Sequence, residues 1–486
     1  MSNKTLRTYL VAAIIAVVVG YYVYSSIRGV PPLSIIRGRS AAAVTKFVDV
    51  NFKRFAGAET LRTVKSDELA AEVKEVINQF GLPADVFVED TLEDINKKGG
   101  KETNIAVILD NLFYGYYVSP NPDDNSQKPD DSLEKLWDAS PIGDWNINES
   151  TLAGVRATLT SFESKRQAIR TMLSESDTRF YYIFIHPDSL TSLFSATITI
   201  NTEASKYLSD YALLEEYAIA QALLKGDIDE AVDALAYIFR IAQLASLLGN
   251  VGARSDAAMV RLRAFDVMQR VILDPKFDRA RMVVLRNILR EQYDEWTAEY
   301  TAWFGDRASG ISLYHRIQMF GPDDALEQEE LDNLEKRNID IDRTFYRGFT
   351  KYHEADEAFY LRSMQKILNV SKEPFEKRLD VLNQIYRELS KTENTYDDTG
   401  ITMEFFVANI LLKDVDRLMR LFTQDKSALS RTLVLMDTSL GQSRTDRYRD
   451  PFTDEPYEIQ KADGLLSVSI PNLPRPFRVP NFMEKE

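Results

Sequence analysis

The chain has no cysteine. That absence removes disulfide staples, thiolate zinc sites, iron–sulfur clusters and cysteine nucleophiles together. Histidine is almost missing too, with only His186, His315 and His353 in 486 residues, so a histidine-built site has few possible members. Glycine and proline, at 20 and 17, are too sparse for a low-complexity or disordered chain. The body should therefore fold, and its length implies two or more packed units. Positive charge is in deficit: 59 basic residues face 74 acidic ones, a formal net charge of −15. No long Lys/Arg run reverses that balance. Phosphate-backbone binding depends on clustered cations, so nucleic acid is not an expected partner.

Long apolar runs are scarce as well, with one exception. Residues 8–27 read TYLVAAIIAVVVGYYVYSSI without a charge, and as a helix they would rise about 30 Å, the thickness of a bilayer's hydrocarbon core. Tyr21, Tyr22 and Tyr24 suit the headgroup boundary at the end of this span, and Lys4, Arg7 and Arg28 bracket it. No small-x-small cleavage site follows cleanly, so an uncleaved signal anchor is expected in place of a removed signal peptide. The expected arrangement is a short stub at 1–7, a single-pass anchor at 8–27 in the inner membrane, and an extracytoplasmic body. Basic residues on both sides of the span leave orientation open on charge alone. A type IV pilin is excluded, because no Gly-Phe-x-x-x-x-Glu signal precedes the apolar run.

The body reads as mainly α. Apolar spacing predicts helices at 41–55 and 67–80, and residues 119–131 (SPNPDDNSQKPDD) form a polar loop. That loop lacks the ligand spacing, central Gly and closing Glu of an EF-hand, so its acids are taken as solvated. Short β-branched and aromatic runs at 179–185 and 195–200 predict two strands, closing a mixed, mostly helical region at 40–200. A repeat-like helical region follows at 203–425. Its clearest stretch is Tyr211 to Leu248, two helices joined at Lys225-Gly226-Asp227, with Ala220, Ala222, Ala231 and Ala234 permitting close approach. Further helices are expected at 255–273, 279–304, 353–369, 373–391 and 401–423. Residues 446–470 form a turn-rich segment with a hairpin around Asp463-Gly464. The proline-spaced tail at 471–486 is extended, able to lie along its own protein or a partner.

Candidate chemistry is thin. No G-x-S-x-G, H-E-x-x-H, Walker A or G-x-G-x-x-G pattern appears, which weighs against the common hydrolase, zincin, P-loop and dinucleotide classes. His353 has Asp356 and Glu357 three and four residues on, a conceivable metal pair on one helix face. The simpler expectation is an exposed surface with polar pairing. His186 reads as a loop residue and His315 as part of an amphipathic helix. Tyr293, Trp296, Tyr300, Trp303 and Phe304 recur at helical spacing and could hold a ligand, though core packing or a helix contact is the favoured reading. No catalytic, cofactor-binding or metal residue is assigned.

Three segments carry a resemblance: LLEEYAIAQALLKGDIDEAVDAL at 213–235, FGDRASGISLYHRI at 304–317 and DPFTDEPYEIQKADGLLSVSIP at 450–471. They are similar to a group of membrane-anchored or secreted helical proteins of planctomycete-type bacteria. The Gly-Asp turn before an Ala-rich helix resembles a tetratricopeptide hairpin. The closing segment resembles the C-terminal turn-and-strand piece of pseudopilin-like modules, with Thr453-Asp454-Glu455 in place of the usual Gly-containing turn. The resemblance implies architecture and location and carries no known activity. The expected function is a membrane-anchored scaffold or protein-interaction module, possible as a subunit of a membrane complex. The alternative is an envelope hydrolase using carboxylates on glycan or peptide. Expected partners are the bilayer, through 8–27, and another protein.

Overall fold

The computed structural model describes residues 131–139, 149–174, 203–246, 251–304, 341–390, 405–442, 447–468 and 476–483, with short strands and single residues between them. The expected anchor at 8–27, the expected helices at 41–55 and 67–80, and nearly all of the polar loop at 119–131 lie outside the described residues. Among the described residues no helix is long and apolar enough to cross a membrane.

These residues are mainly helical. In chain order the first elements are α1 (Ser132–Asp138), α2 (Glu149–Leu173), β1 (Ile183–Ile185), β2 (Ile198–Ile200), α3 (Glu203–Lys225), α4 (Ile228–Ser246), α5 (Val251–Ile272) and α6 (Arg279–Asp294). There follow α7 (Ile341–Val370), α8 (Phe375–Ser390), β3 (Thr395–Asp397), β4 (Gly400–Thr402), α9 (Phe406–Leu412), α10 (Val415–Ser439), β5 (Gln460–Ala462), β6 (Leu465–Val468) and β7 (Phe477–Pro480).

The expected helical hairpin is α3–α4. Gly226 takes φ 71°, a left-handed conformation that glycine reaches without Cβ strain. The Asp227 amide turns back to the Ala222 carbonyl at 2.8 Å, closing the α3 terminus in the manner of a Schellman motif. The Asp227 carboxylate then accepts the Glu230 amide at 3.2 Å and so caps α4. Ala220, Ala222, Ala231 and Ala234 are all buried, as close approach requires. Helix α5 packs on both α3 and α4, while α10 joins this group to α6, α8 and the β6–β7 edge. Buried apolar side chains from Leu109 to Val479 form one continuous cluster.

The three sheets are small. Strands β1 and β2 pair antiparallel at the expected place, Ile183 opposite Ile200. Asp463 and Gly464, at φ 53° and 69°, make the expected tight turn between β5 and β6, the primed geometry that suits strand twist. The described part of the tail, 476–483, lies on its own protein: β7 adds beside β6 with Val468 opposite Phe477.

Three expectations need correction. Residues 279–304 are not one helix, because α6 stops at Asp294 and helical structure resumes at 299–304. The carbonyls of Thr297 and Ala298 accept instead from the Arg254 guanidinium at 2.9 and 3.1 Å. Residues 401–423 are likewise divided into the end of β4, then α9, then a helix that runs on to Ser439. Asp356 sets the start of α9 by accepting the amides of Val407 at 3.0 Å and Ala408 at 2.9 Å. Asp356 and Glu357 themselves are not an exposed face; they are 2% and 0% accessible. A tertiary capping role draws Asp356 inside, where the Tyr314 hydroxyl also donates to it at 2.8 Å.

Candidate functional site

Buried arginines expose the site by contrast. Arg166 and Arg170 both reach Glu215, at 3.0 and 2.5 Å. Arg261 holds Asp425 at 2.5 Å, Arg286 holds Asp437 at 2.7 Å, Arg378 holds Glu299 at 2.7 Å and Arg431 holds Asp450 at 2.8 Å. Each follows the rule that a buried charge is paired and hydrogen-bonded. Arg254 does not. It is 2% accessible, donates only to the two carbonyls at 297 and 298, and leaves its Nε–H without a partner. Burial depresses its pKa to about 10, with the nearby Arg261 cation adding to the effect.

Arg254 reaches this place because α5 carries it on the face that meets the 295–298 break. Its guanidinium lies 5.7 Å from the Trp296 ring centroid and 5.3 Å from that of Phe422, distances at which cation–π attraction replaces some lost hydration. It forms part of the wall of a cleft of about 530 Å³. The other walls come from the α7–α8 turn at 371–374, the N-terminal half of α10 and the segment 447–454. Backbone hydrogen bonds tie two of these walls together: the Phe375 and Glu376 amides donate to the carbonyls of Pro451 and Phe452 at 3.1 and 3.2 Å.

Seven basic and four acidic side chains line the cleft, so seven minus four leaves a local excess of three positive charges in a chain whose net charge is −15. The two inner acids are occupied. Glu299 accepts from Arg378 and, at 2.8 Å, from the Trp303 indole N–H. Asp450 accepts from Arg431, from the Ser427 hydroxyl at 3.3 Å and from the Phe452 amide at 3.1 Å. The Lys426 ammonium, half-buried on α10, has neither an ion pair nor a hydrogen bond among the described residues, and burial together with Arg254 lowers its pKa. Lys372 has no carboxylate partner and lies 4.9 Å from the Tyr300 ring centroid. The interior thus presents cations that no carboxylate of the described residues pairs with directly, Glu299 acting on Arg254 and Lys426 only from a distance.

A hollow of about 380 Å³ lies between α2 and α3. Glu149, Arg156, Thr160 and Glu163 on its wall are exposed helix residues, and none of its walls carries a buried polar atom lacking a partner. It offers no comparable chemistry.

The aromatic series divides between core and cleft. Trp303 and Phe304 are buried in the core, whereas Tyr293, Trp296 and Tyr300 are half-buried and line the cleft. Position 353 lies within α7, and His186 and His315 fall outside the described residues. Among the described residues no group of three or more His, Asp or Glu is placed to hold a metal ion. Sequence reasoning passed over Arg254, Lys372 and Lys426. The available signal was Arg254 within VGARSDAAMV, a cation among small and apolar residues on a helix that otherwise turns such residues inward. No protein family, curated protein or solved structure matches the chain.

Proposed function

We propose that the chain is a membrane-anchored helical binding module, held by residues 8–27 with its body outside the cytoplasm, and that the cleft around Arg254 receives a protein partner. The observation that carries this reading is the cleft's charge pattern. Segments distant in sequence converge on it, its acids are engaged, and three of its cations are left without a counter-carboxylate. Such a surface is built to meet a negatively charged group from outside.

A carboxylate-based hydrolase is less well supported. Glycoside cleavage requires two acids free to exchange protons across a scissile bond. Glu299 and Asp450 are instead engaged by Arg378 at 2.7 Å and Arg431 at 2.8 Å, so neither is free to face a scissile bond.

The test is detergent solubilisation of the native membrane, tagged purification and mass spectrometry of lysine crosslinks. A partner recovered at fixed ratio and crosslinked through Lys372, Lys377 or Lys426 supports the reading. A partnerless monomer, or a partner crosslinked only to surfaces remote from the cleft, overturns it.

A further inference from the structure

We propose that the inner end of the cleft is a site for a phosphate monoester group, recognised by Arg254, Lys426 and Lys372. This deepens the binding reading and rests on the cleft being the ligand-binding face.

Three observations bear on the ligand's chemistry. First, among the described residues Arg254 is the buried arginine with no carboxylate in hydrogen-bond or ion-pair contact; its side chain forms part of the cleft wall, and its buried Nε–H has no partner. Glu299 and Asp425 act on Arg254 only from a distance, and burial still outweighs them; a buried cation without a paired carboxylate is costly, and an incoming anion reduces that cost. The two carbonyls at 297 and 298 fix the guanidinium plane in advance, so little side-chain freedom remains to be lost on binding. Second, the charge that is missing exceeds one. Lys426 and Lys372 join Arg254 without ion pairs, and the lining carries three excess positive charges. A single carboxylate would leave two of them unanswered. A phosphate monoester brings about −1.5 to −2 at neutral pH and three acceptor oxygens, which suits donors on three separate side chains. Third, Trp296 and Tyr300 flank the cations, providing flat apolar surface for the stem that carries the phosphate.

The source of the phosphate can be a free small molecule or a side chain of the bound partner. The test is calorimetric titration of the full-length chain, in detergent and phosphate-free buffer, with phenyl phosphate, inorganic phosphate and benzoate. Saturable binding of both phosphates is expected, with benzoate at least about tenfold weaker. Lys426→Gln should weaken phenyl phosphate about tenfold, the loss expected for a charge-assisted hydrogen bond, without lowering the thermal midpoint. Because Arg254→Gln alters a buried group, Lys372→Gln serves as the second variant and should weaken phenyl phosphate severalfold. Absence of saturable phosphate binding overturns the proposal, as does equal affinity for benzoate or indifference to both lysine substitutions.

Phosphatase treatment separates the two sources. Loss of the crosslinked partner after treatment places the phosphate on that partner, and its retention, with phenyl phosphate still bound, assigns a free ligand. A crosslinked partner with no phosphate binding would refute the phosphate site alone. Phosphate binding without a partner would refute the protein-docking reading alone.

Discussion

Arg261 and Asp425 stand 164 positions apart in the chain and form a side-on pair, Nε to Oδ1 at 2.9 Å and Nη2 to Oδ2 at 2.5 Å. A third donor of the same guanidinium takes the Ala242 carbonyl at 3.1 Å. Removing one member of a buried pair strands the other in low dielectric, so Asp425→Ala should cost about 3–5 kcal/mol in urea unfolding. The joint change Arg261→Met with Asp425→Leu should cost far less, since neither charge is then left behind. Equal losses from the single and double variants would show that packing, not charge, dominates there. Glu216 makes the opposite statement about protonation. Burial raises its pKa from the ordinary 4.5 to about 8, with Arg263 pulling the other way, and its Oε1 has no hydrogen-bond partner. The folded state therefore holds a proton that the unfolded chain has released above about pH 4.5. The resulting stabilisation is complete below that pH and is lost as pH rises toward about 8. Asp356, raised by burial to about 7 against three donors that favour its charge, adds a contribution of the same sign. The urea midpoint should fall between pH 5 and pH 8.5, and Glu216→Gln should flatten that fall; an unchanged slope would remove Glu216 from the account.

At the scale of elements, turns were the most legible feature. Lys225-Gly226-Asp227 and Asp463-Gly464 announce their backbone conformations locally, and both fold as the residues dictate. A Cβ at position 226 would meet the far end of the flexible Lys276 side chain, at 1.8 Å from Nζ, which can move aside. The cost of Gly226→Ala is thus mainly the left-handed backbone, about 1–2 kcal/mol, readable in thermal unfolding. The C-terminal strand answers to longer-range contacts. Gln269 of α5 exchanges hydrogen bonds with the Arg478 backbone at 3.2 and 3.3 Å, and Ser439 of α10 donates to the Pro480 carbonyl at 2.5 Å. Phe477→Ala should cost about 3–5 kcal/mol and speed amide exchange in β6; unchanged exchange would mean that β6 holds without β7. What the sequence concealed was the polar interior. Helix α10 buries Thr423, Asp425, Ser427, Ser430, Arg431, Thr432 and Asp437, so its outer and inner faces look alike in a hydropathy pattern, and its extension to Ser439 was not visible. The same blindness applied to the cleft. A lysine that solvates and a lysine that waits for an anion read identically until the neighbouring acids are seen to be taken.

For the molecule as a whole, an acidic chain carries a locally cationic recess. Attraction between opposite charges weakens as salt shortens the screening length from about 10 Å at 0.1 M to about 3 Å at 1 M. Ligand binding at the cleft should therefore fall steeply over that range, while the buried pairs leave stability comparatively unmoved; parallel titrations and melts would check this. The anchor reading predicts that the full chain leaves membranes only with detergent and that a chain beginning after residue 28 stays in the supernatant; a full chain released by high salt alone would refute it. The long reach of the Arg261–Asp425 pair also has a temporal side. At a translation rate of about 5–20 residues per second, Asp425 is made roughly 8–30 s after Arg261. Until then α3, α4 and α5 lack the helix that neutralises Arg261 and packs on α5, so ribosome-bound chains ending before position 425 should be the ones that most engage chaperones, a difference that pull-down of stalled chains of graded length would read.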